Sequence, residues 1–218
     1  MSPGELEPTG PVAALDRDEL LVAAPKAARR LLGCLLLRTE ADGTTTVARI
    51  VETEAYHQDD PASHSHRGPT PRTAPMFADP GTAYVYRSYG VHWCLNVAVE
   101  PEGVGAAVLV RAAALLTGHA HVRPRRPAAR SDRDLLRGPG RLTAGLDVDA
   151  PRHDGGDLLG EGAGLRLAED AWRPDPERIA TSPRVGVRLA ADLPWRFHLE
   201  DEPAVSLYRL HPRAERPS

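Results

Sequence analysis

The sequence predicts a single α+β domain built around an antiparallel sheet, and three observations lead there. The chain has 218 residues, which suits one domain and suffices to bury a core without disulfide or metal staples. Hydrophobic residues make up 41 %, the content of a folded globular protein. The elements read in order as helices, a meander of strands, a helical stretch and further strands, with no internal repeat.

Residues 1–15 begin acidic and carry Pro and Gly, and read as a loose tail; without a basic start and an apolar stretch, no signal peptide is expected. Residues 16–21 and 25–32 each have a capping or proline start signal followed by apolar residues at helical spacing, and Gly33 stops the second. A short strand follows at 35–38. Asp42-Gly43 signals a hairpin turn, and residues 45–56, rich in β-branched side chains, read as a strand. Residues 57–81 form a long loop rich in Pro, Gly, His and Ser, a length usually reserved for function or disorder. Strands are expected at 82–87 and 91–100 around a tight turn at Ser88-Tyr89-Gly90, then at 106–111. Ser131 and Asp134 have the spacing of a capping box for a short helix closed by Gly138, which leads through Pro139 and Gly140 into residues 141–146. The acidic, Gly-rich stretch 147–164 reads as loop, residues 184–189, 195–200 and 204–209 as strands, and 211–218 as a polar tail that frays. The globular part is therefore expected to span residues 16–210.

Charge divides unevenly. Lys and Arg total 27 against 30 Asp and Glu, for a net charge of −3. Yet residues 119–141 hold seven arginines (123, 125, 126, 130, 133, 137 and 141) against Asp132 and Asp134. Such a segment is either the electrostatic footprint of a nucleic acid or a solvated Arg-rich loop. Lys26 is the only lysine. Cys34 and Cys94 sit in apolar runs and read as buried free thiols of a reducing compartment. No run of about 18 apolar residues spans a membrane.

Chemistry-bearing residues cluster on and after the second strand. Strand alternation puts Glu52, Glu54 and Tyr56 on one face, at the mouth of the His-bearing loop. Either that face looks into solvent or it lines a site. His64 and His66, near Asp59 and Asp60, raise the question of a metal, but no H-E-x-x-H or C-x-x-C pattern accompanies them, and no metal or cofactor is expected. Tyr84 and Tyr86 share a face. Tyr89 stands at a hairpin tip, where a large aromatic either folds back on the sheet or serves as a wedge for an extruded base. Asn96 is a polar amide among apolar neighbours and needs partners, structural or ligand.

Taken in order, Arg49-Ile-Val-Glu-Thr-Glu-Ala-Tyr56, Asp60-Pro-Ala-Ser-His-Ser65, Met76-Phe77, Pro80-Gly81-Thr82, Tyr84-Val-Tyr86, Tyr89-Gly90 and Asn96 resemble the alkyladenine (3-methyladenine) DNA glycosylase family. The resemblance continues through Val108-Leu-Val-Arg-Ala112, Gly138-Pro-Gly-Arg-Leu142, Pro183-Arg-Val-Gly-Val187 and Pro194-Trp-Arg-Phe197, covering roughly residues 17 to 210. It implies a curved antiparallel sheet flanked by helices, and a monofunctional glycosylase of base excision repair. Its substrate would be double-stranded DNA carrying 3-methyladenine, 7-methylguanine or hypoxanthine. Glu54 would activate the attacking water, and Arg111 would help hold the site. Tyr56, His64 and Tyr86 would stack on the flipped base, and Asn96 would check the purine's 2-position. Tyr89 would enter the duplex, with Gly140 and Arg141 also on the DNA. A cytoplasmic, nucleoid-associated monomer is expected. Relative to animal members, the long basic N-terminal extension is missing and the loop between Tyr56 and His64 is one residue shorter.

The chemistry is consistent with those roles. Glycosidic cleavage passes through a sugar of oxocarbenium character, which a nearby carboxylate stabilises while deprotonating water. Cationic alkylpurines are drawn to aromatic faces by roughly 0.5–2 kcal/mol each. A damage sensor without chemistry has no use for Glu54 facing the sugar, and a hydrolase of free nucleosides has none for a duplex wedge at Tyr89.

Overall fold

The computed structural model describes residues 8–160 and 162–215. Its centre is a nine-stranded antiparallel sheet with the path β1-β7-β2-β3-β6-β5-β4. Here β1 is Ala13–Ala14, β2 Leu35–Thr39, β3 Thr45–His57, β4 Ala83–Ser88, β5 His92–Ala98, β6 Ala106–Thr117 and β7 Leu165–Glu169. Two more strands, β8 (Ile179–Ser182) and β9 (Arg196–Leu199), form a side branch on β3. Helix α1 (Ala24–Leu31) buries Ala24, Ala27, Ala28 and Leu31, the i, i+3, i+4, i+7 stripe that a helix lays on a sheet. It lies on β3, where the Thr53 hydroxyl donates to the Ala28 carbonyl at 2.8 Å. The short helices α2 (His119–Arg125), α3 (Pro139–Gly145) and α4 (Ala150–His153) complete the helical complement, α3 against β5 and β6 and α4 against β4. No helix among the described residues is long and apolar enough to cross a membrane.

The long strand β3 forks. Its first half pairs with β2, from Leu35 opposite Arg49 to Thr39 opposite Thr45; its second half pairs with β9, Glu52 opposite His198 and Glu54 opposite Arg196. Along its other edge β6 follows it throughout, with register shifts between Ile50 and Glu52 and between Glu52 and Thr53. The first shift leaves Val51 without an opposite residue and the second does the same for Arg111 of β6. Bulges bend a strand and re-aim a side chain, and this pair turns Arg111 toward the two glutamates.

Several expected elements differ. The sheet and the α+β class are as predicted, but residues 184–189 and 204–209 are not strands, while β7 and β8 arise where none was expected. The reason is competition for hydrogen bonds. The Ser206 amide donates to Glu52 at 2.8 Å instead of to a ladder, and Gly186, at φ +71°, sends its amide to the Arg209 carbonyl at 3.0 Å. Strand β6 runs six residues past its expected end, and residues 16–21 form a 3-10 turn at Arg17–Leu20 rather than an α-helix. Ser131 does not cap as drawn: its hydroxyl donates to the Asp134 carboxylate at 2.7 Å, and only a 3-10 turn, Asp132–Asp134, follows. Of the two terminal segments, residues 1–7 and 216–218 lie outside the described residues. Inside them, β1 pairs with β7 and Leu15 is buried, while the Glu215 amide donates to the Arg188 carbonyl at 2.9 Å.

Candidate active site

On the face of β3 turned away from α1, Glu52 and Glu54 are both fully buried, so the solvent-facing alternative for this strand fails. Burying a carboxylate is costly unless it is paired and hydrogen-bonded, and both are. Glu54 accepts from the Val185 amide at 2.7 Å on one oxygen and from the Tyr56 hydroxyl at 2.8 Å on the other, which also lies 3.2 Å from Arg111 Nη1. Glu52 accepts from Arg111 Nε at 2.8 Å, Arg196 Nε at 2.7 Å, the Ser206 hydroxyl at 2.9 Å and the Ser206 amide at 2.8 Å. Burial pushes the Glu52 carboxyl up, but the guanidinium groups of Arg111 and Arg196 outweigh it and hold the group below the usual carboxylate range. Arg111 thus bridges the two carboxylates.

Above them opens a cavity of about 840 Å³ bordered by Tyr56, His64, Tyr86, Asn96 and Arg111. One wall is aromatic, formed by Tyr56, His64, Tyr84 and Tyr86, while Arg87, Arg111, Arg188 and Arg209 stand elsewhere on its border. Tyr84 and Tyr86 stack at 5.4 Å between ring centroids, and the His64 ring meets Tyr86 edge-on at 4.5 Å. His64 Nδ1 and the Tyr84 hydroxyl are 2.9 Å apart. Burial, followed by the charge of Arg72, lowers the His64 pKa, so the imidazole is neutral at pH 7. Burial also raises the Tyr84 phenol to about 12 and moves those of Tyr86 and Tyr56 well upward. The Arg184 guanidinium lies 4.6 Å from the Tyr56 ring centroid and forms a buried ion pair with Asp60. Asp60 is therefore paired with Arg184, and His64 with Tyr84. The Asn96 amide donates to the Tyr84 carbonyl at 3.0 Å and borders the cavity beside Cys94. Cys34 and Cys94 are both buried and unpaired.

At the rim, Tyr89 is 88 % exposed, so the ring does not fold back on the sheet. Tyr89 at φ +48° and Gly90 at φ +69° are the central residues of a turn closed by the Val91 amide on the Ser88 carbonyl at 3.0 Å. Two positive φ values identify the mirror-image turn that matches strand twist in a two-residue hairpin. A tyrosine there is strained; a non-glycine left-handed residue costs roughly 1–2 kcal/mol. Across from the hairpin, Gly140 packs so tightly that an added Cβ would sit 2.8 Å from the His92 Cβ, which brings α3 and the exposed Arg141 up to the hairpin. Part of the Arg-rich charge is spent internally. Arg123 pairs with Asp132, Arg125 with Glu40 at 2.6 Å, and Arg137 with Asp134 at 3.7 Å, leaving Arg130, Arg133 and Arg141 exposed.

Every residue singled out for the site except Gly140 and Arg141 borders this cavity or bonds to a group that does. Sequence reasoning missed the Val185 amide, the packing of Arg184 on Tyr56 and the binding of Glu52 by Arg196 and Ser206. The first two lie in Pro183-Arg-Val-Gly-Val187, a motif noticed for its resemblance but given no role.

The methylpurine-DNA glycosylase family matches residues 18–203. A protein of Nocardia farcinica is 47 % identical over 210 residues, covering 93 % of this chain and 95 % of its own. Proteins of Burkholderia lata and Streptomyces avermitilis are each 42 % identical, covering 94 % of this chain and 97 % and 99 % of theirs. All three carry the name "Putative 3-methyladenine DNA glycosylase". Similarity of that extent, over a chain whose buried glutamates open on an aromatic cavity, places this protein in the methylpurine-DNA glycosylase family, among the hydrolases that cleave N-glycosyl bonds in DNA.

Proposed function

We propose that the protein is a monofunctional glycosylase of base excision repair that extrudes a damaged purine from duplex DNA and hydrolyses its glycosidic bond with water activated by Glu54. The observation that carries this reading is the setting of Glu54. A buried carboxylate accepts hydrogen bonds from the Val185 amide and the Tyr56 hydroxyl and forms an ion pair with Arg111 at the edge of an aromatic cavity. A carboxylate has about four acceptor positions, so capacity is left for a water. Such a group takes a proton from that water and stabilises the cationic sugar. The flipped base would lie among Tyr56, His64 and Tyr86. With His64 neutral, the rings of Tyr56, His64 and Tyr86 offer a cation their π faces, which favours 3-methyladenine and 7-methylguanine; hypoxanthine, being neutral, leaves more slowly. Asn96 would stand against the purine's 2-position. Tyr89 would fill the gap in the stack, while Gly140, Arg141 and the exposed arginines take the backbone.

Water is the nucleophile in this scheme because no amine is placed to replace it. Lys26 is exposed on α1, on the opposite face of β3 from Glu54, and Met1 lies outside the described residues. The test is Glu54→Gln with duplex DNA carrying one alkylated or deaminated purine. Binding persists and abasic-site formation falls by about two to four orders of magnitude, the range that a general base contributes. A near-normal single-turnover rate removes Glu54 from the mechanism.

A further inference from the structure

We propose that Glu52 is a positioning residue for the glycosylase reaction: held by Arg196 and Ser206, it fixes the Arg111 guanidinium so that it faces Glu54 as an ion pair and does not close on it with two hydrogen bonds. The inference rests on the role given to Glu54 above and extends it to a second carboxylate.

Arg111 sits at the register shift between Glu52 and Thr53, without a register partner of its own on β3. Its guanidinium carries five donors in a rigid fork that fits a carboxylate with two parallel bonds. Left to itself, it would close on both oxygens of Glu54. The structure shows otherwise. Nε donates to Glu52 at 2.8 Å, Nη2 lies 3.4 Å from the Ser206 hydroxyl, and the contact with Glu54 is an ion pair, with Nη1 at 3.2 Å, rather than a hydrogen bond. Glu52 can hold the fork aside because it is itself immobile. Arg196 anchors one oxygen at 2.7 Å, with its remaining nitrogens on the Ser182 hydroxyl at 2.9 Å and the Ser206 carbonyl at 3.0 Å. The Ser206 amide holds the other oxygen at 2.8 Å. The consequence for Glu54 is a count of acceptor positions. With the Val185 amide and the Tyr56 hydroxyl as its hydrogen-bond donors, Glu54 keeps acceptor positions for water; an Arg111 fork closed on both oxygens would take them.

The test compares Glu52→Gln, Arg111→Ala, the double variant, Ser206→Ala and Glu54→Gln. Each is measured for single-turnover excision of 7-methylguanine from duplex DNA, for affinity toward duplex carrying an abasic-site analogue, and for thermal unfolding. Glu52→Gln slows excision by about tenfold or more, the effect of losing one charge-assisted contact, and DNA affinity stays within about threefold. In the Arg111→Ala background the same substitution adds less than about twofold, because a residue that acts through Arg111 has nothing left to act on. A wild-type rate in Glu52→Gln overturns the proposal, and so do losses that multiply in the double variant. If Glu52→Gln does not fold, Ser206→Ala decides. It deletes only the hydroxyl shared by Glu52 and Arg111 and is expected to slow excision about threefold with affinity retained; an unchanged rate overturns the proposal. Glu54→Gln keeps the two readings apart: activity in that variant refutes the role of Glu54 itself, whereas an inactive Glu54→Gln beside a fully active Glu52→Gln refutes only the positioning role.

Discussion

Replacing Tyr89 by glycine is expected to make the protein more stable and a poorer enzyme. Tyr89 holds φ at +48° with 88 % of its surface exposed, so its ring contributes little packing to the free protein while its backbone carries strain. Relief of a left-handed tyrosine returns roughly 1–2 kcal/mol. The added freedom of glycine in the unfolded chain takes back about 0.5–1 kcal/mol, for a net gain of roughly 0.5–1 kcal/mol. For a chain of 218 residues that is a rise in Tm of roughly 1–4 °C. On DNA the balance reverses. Stacking between a base and an aromatic side chain contributes roughly 1–3 kcal/mol, so capture of an extruded base falls by about 5- to 150-fold. Calorimetry of the free protein measures the first effect, and fluorescence of a base analogue beside the lesion, with single-turnover excision, measures the second. A lowered Tm would show that the ring supports the fold. Unchanged base capture would show that it is no wedge. Either result refutes the argument.

Three further outcomes follow from the site. Asn96→Ser shortens the side chain facing the proposed 2-position, and release of unmodified guanine from duplex DNA should rise above the wild-type level; release no higher than wild type counts against that role. Asp60→Asn leaves the buried Arg184 guanidinium without its counter-charge, a loss of about 3–5 kcal/mol that should lower Tm by roughly 6–20 °C, read by circular dichroism. Borohydride added during turnover should trap no protein–DNA adduct, because Schiff-base chemistry needs an amine and Lys26 is on the wrong face of the sheet; an adduct mapped to Lys26 or Met1 would replace water as the nucleophile.

The sheet and its class were legible because β2 to β6 carry their own local signals: β-branched runs, a Tyr-Gly hairpin and alternation. Beyond β7 the same signals find β9 but mislead at 184–189 and 204–209. Residues 204–209 alternate as a strand does, yet Ser206 gives its amide to a carboxylate 154 positions away, a choice made by tertiary contact and invisible to any local window. The same limit applies to the site. Glu54, Tyr56 and Asn96 could be picked out from alternation and motif. That Glu54 is held by a backbone amide from Val185, and that Arg111 faces both glutamates, depends on bulges and on the fork of β3. The Arg-rich segment shows the converse error, since charge counted along the chain includes Asp132 and Asp134 but not Glu40, 85 positions from the Arg125 that it neutralises.

The fork in β3 also bears on when the protein acquires its site during synthesis. The first half of the strand finds its partners nearby in sequence, but the glutamates on the second half are satisfied by Val185, Arg196 and Ser206, which are 131, 144 and 154 residues downstream. Closing loops of that length is entropically costly and slow. At roughly 5–20 residues per second, the ribosome needs about 1–4 s to add the 21 residues from Val185 to Ser206. Until they emerge, two neighbouring acidic side chains have too few partners to leave water, and the end of β3 that bears them stays solvated. Strand β9 therefore docks late, and the pairing of both glutamates is complete only once residues 185–206 have emerged.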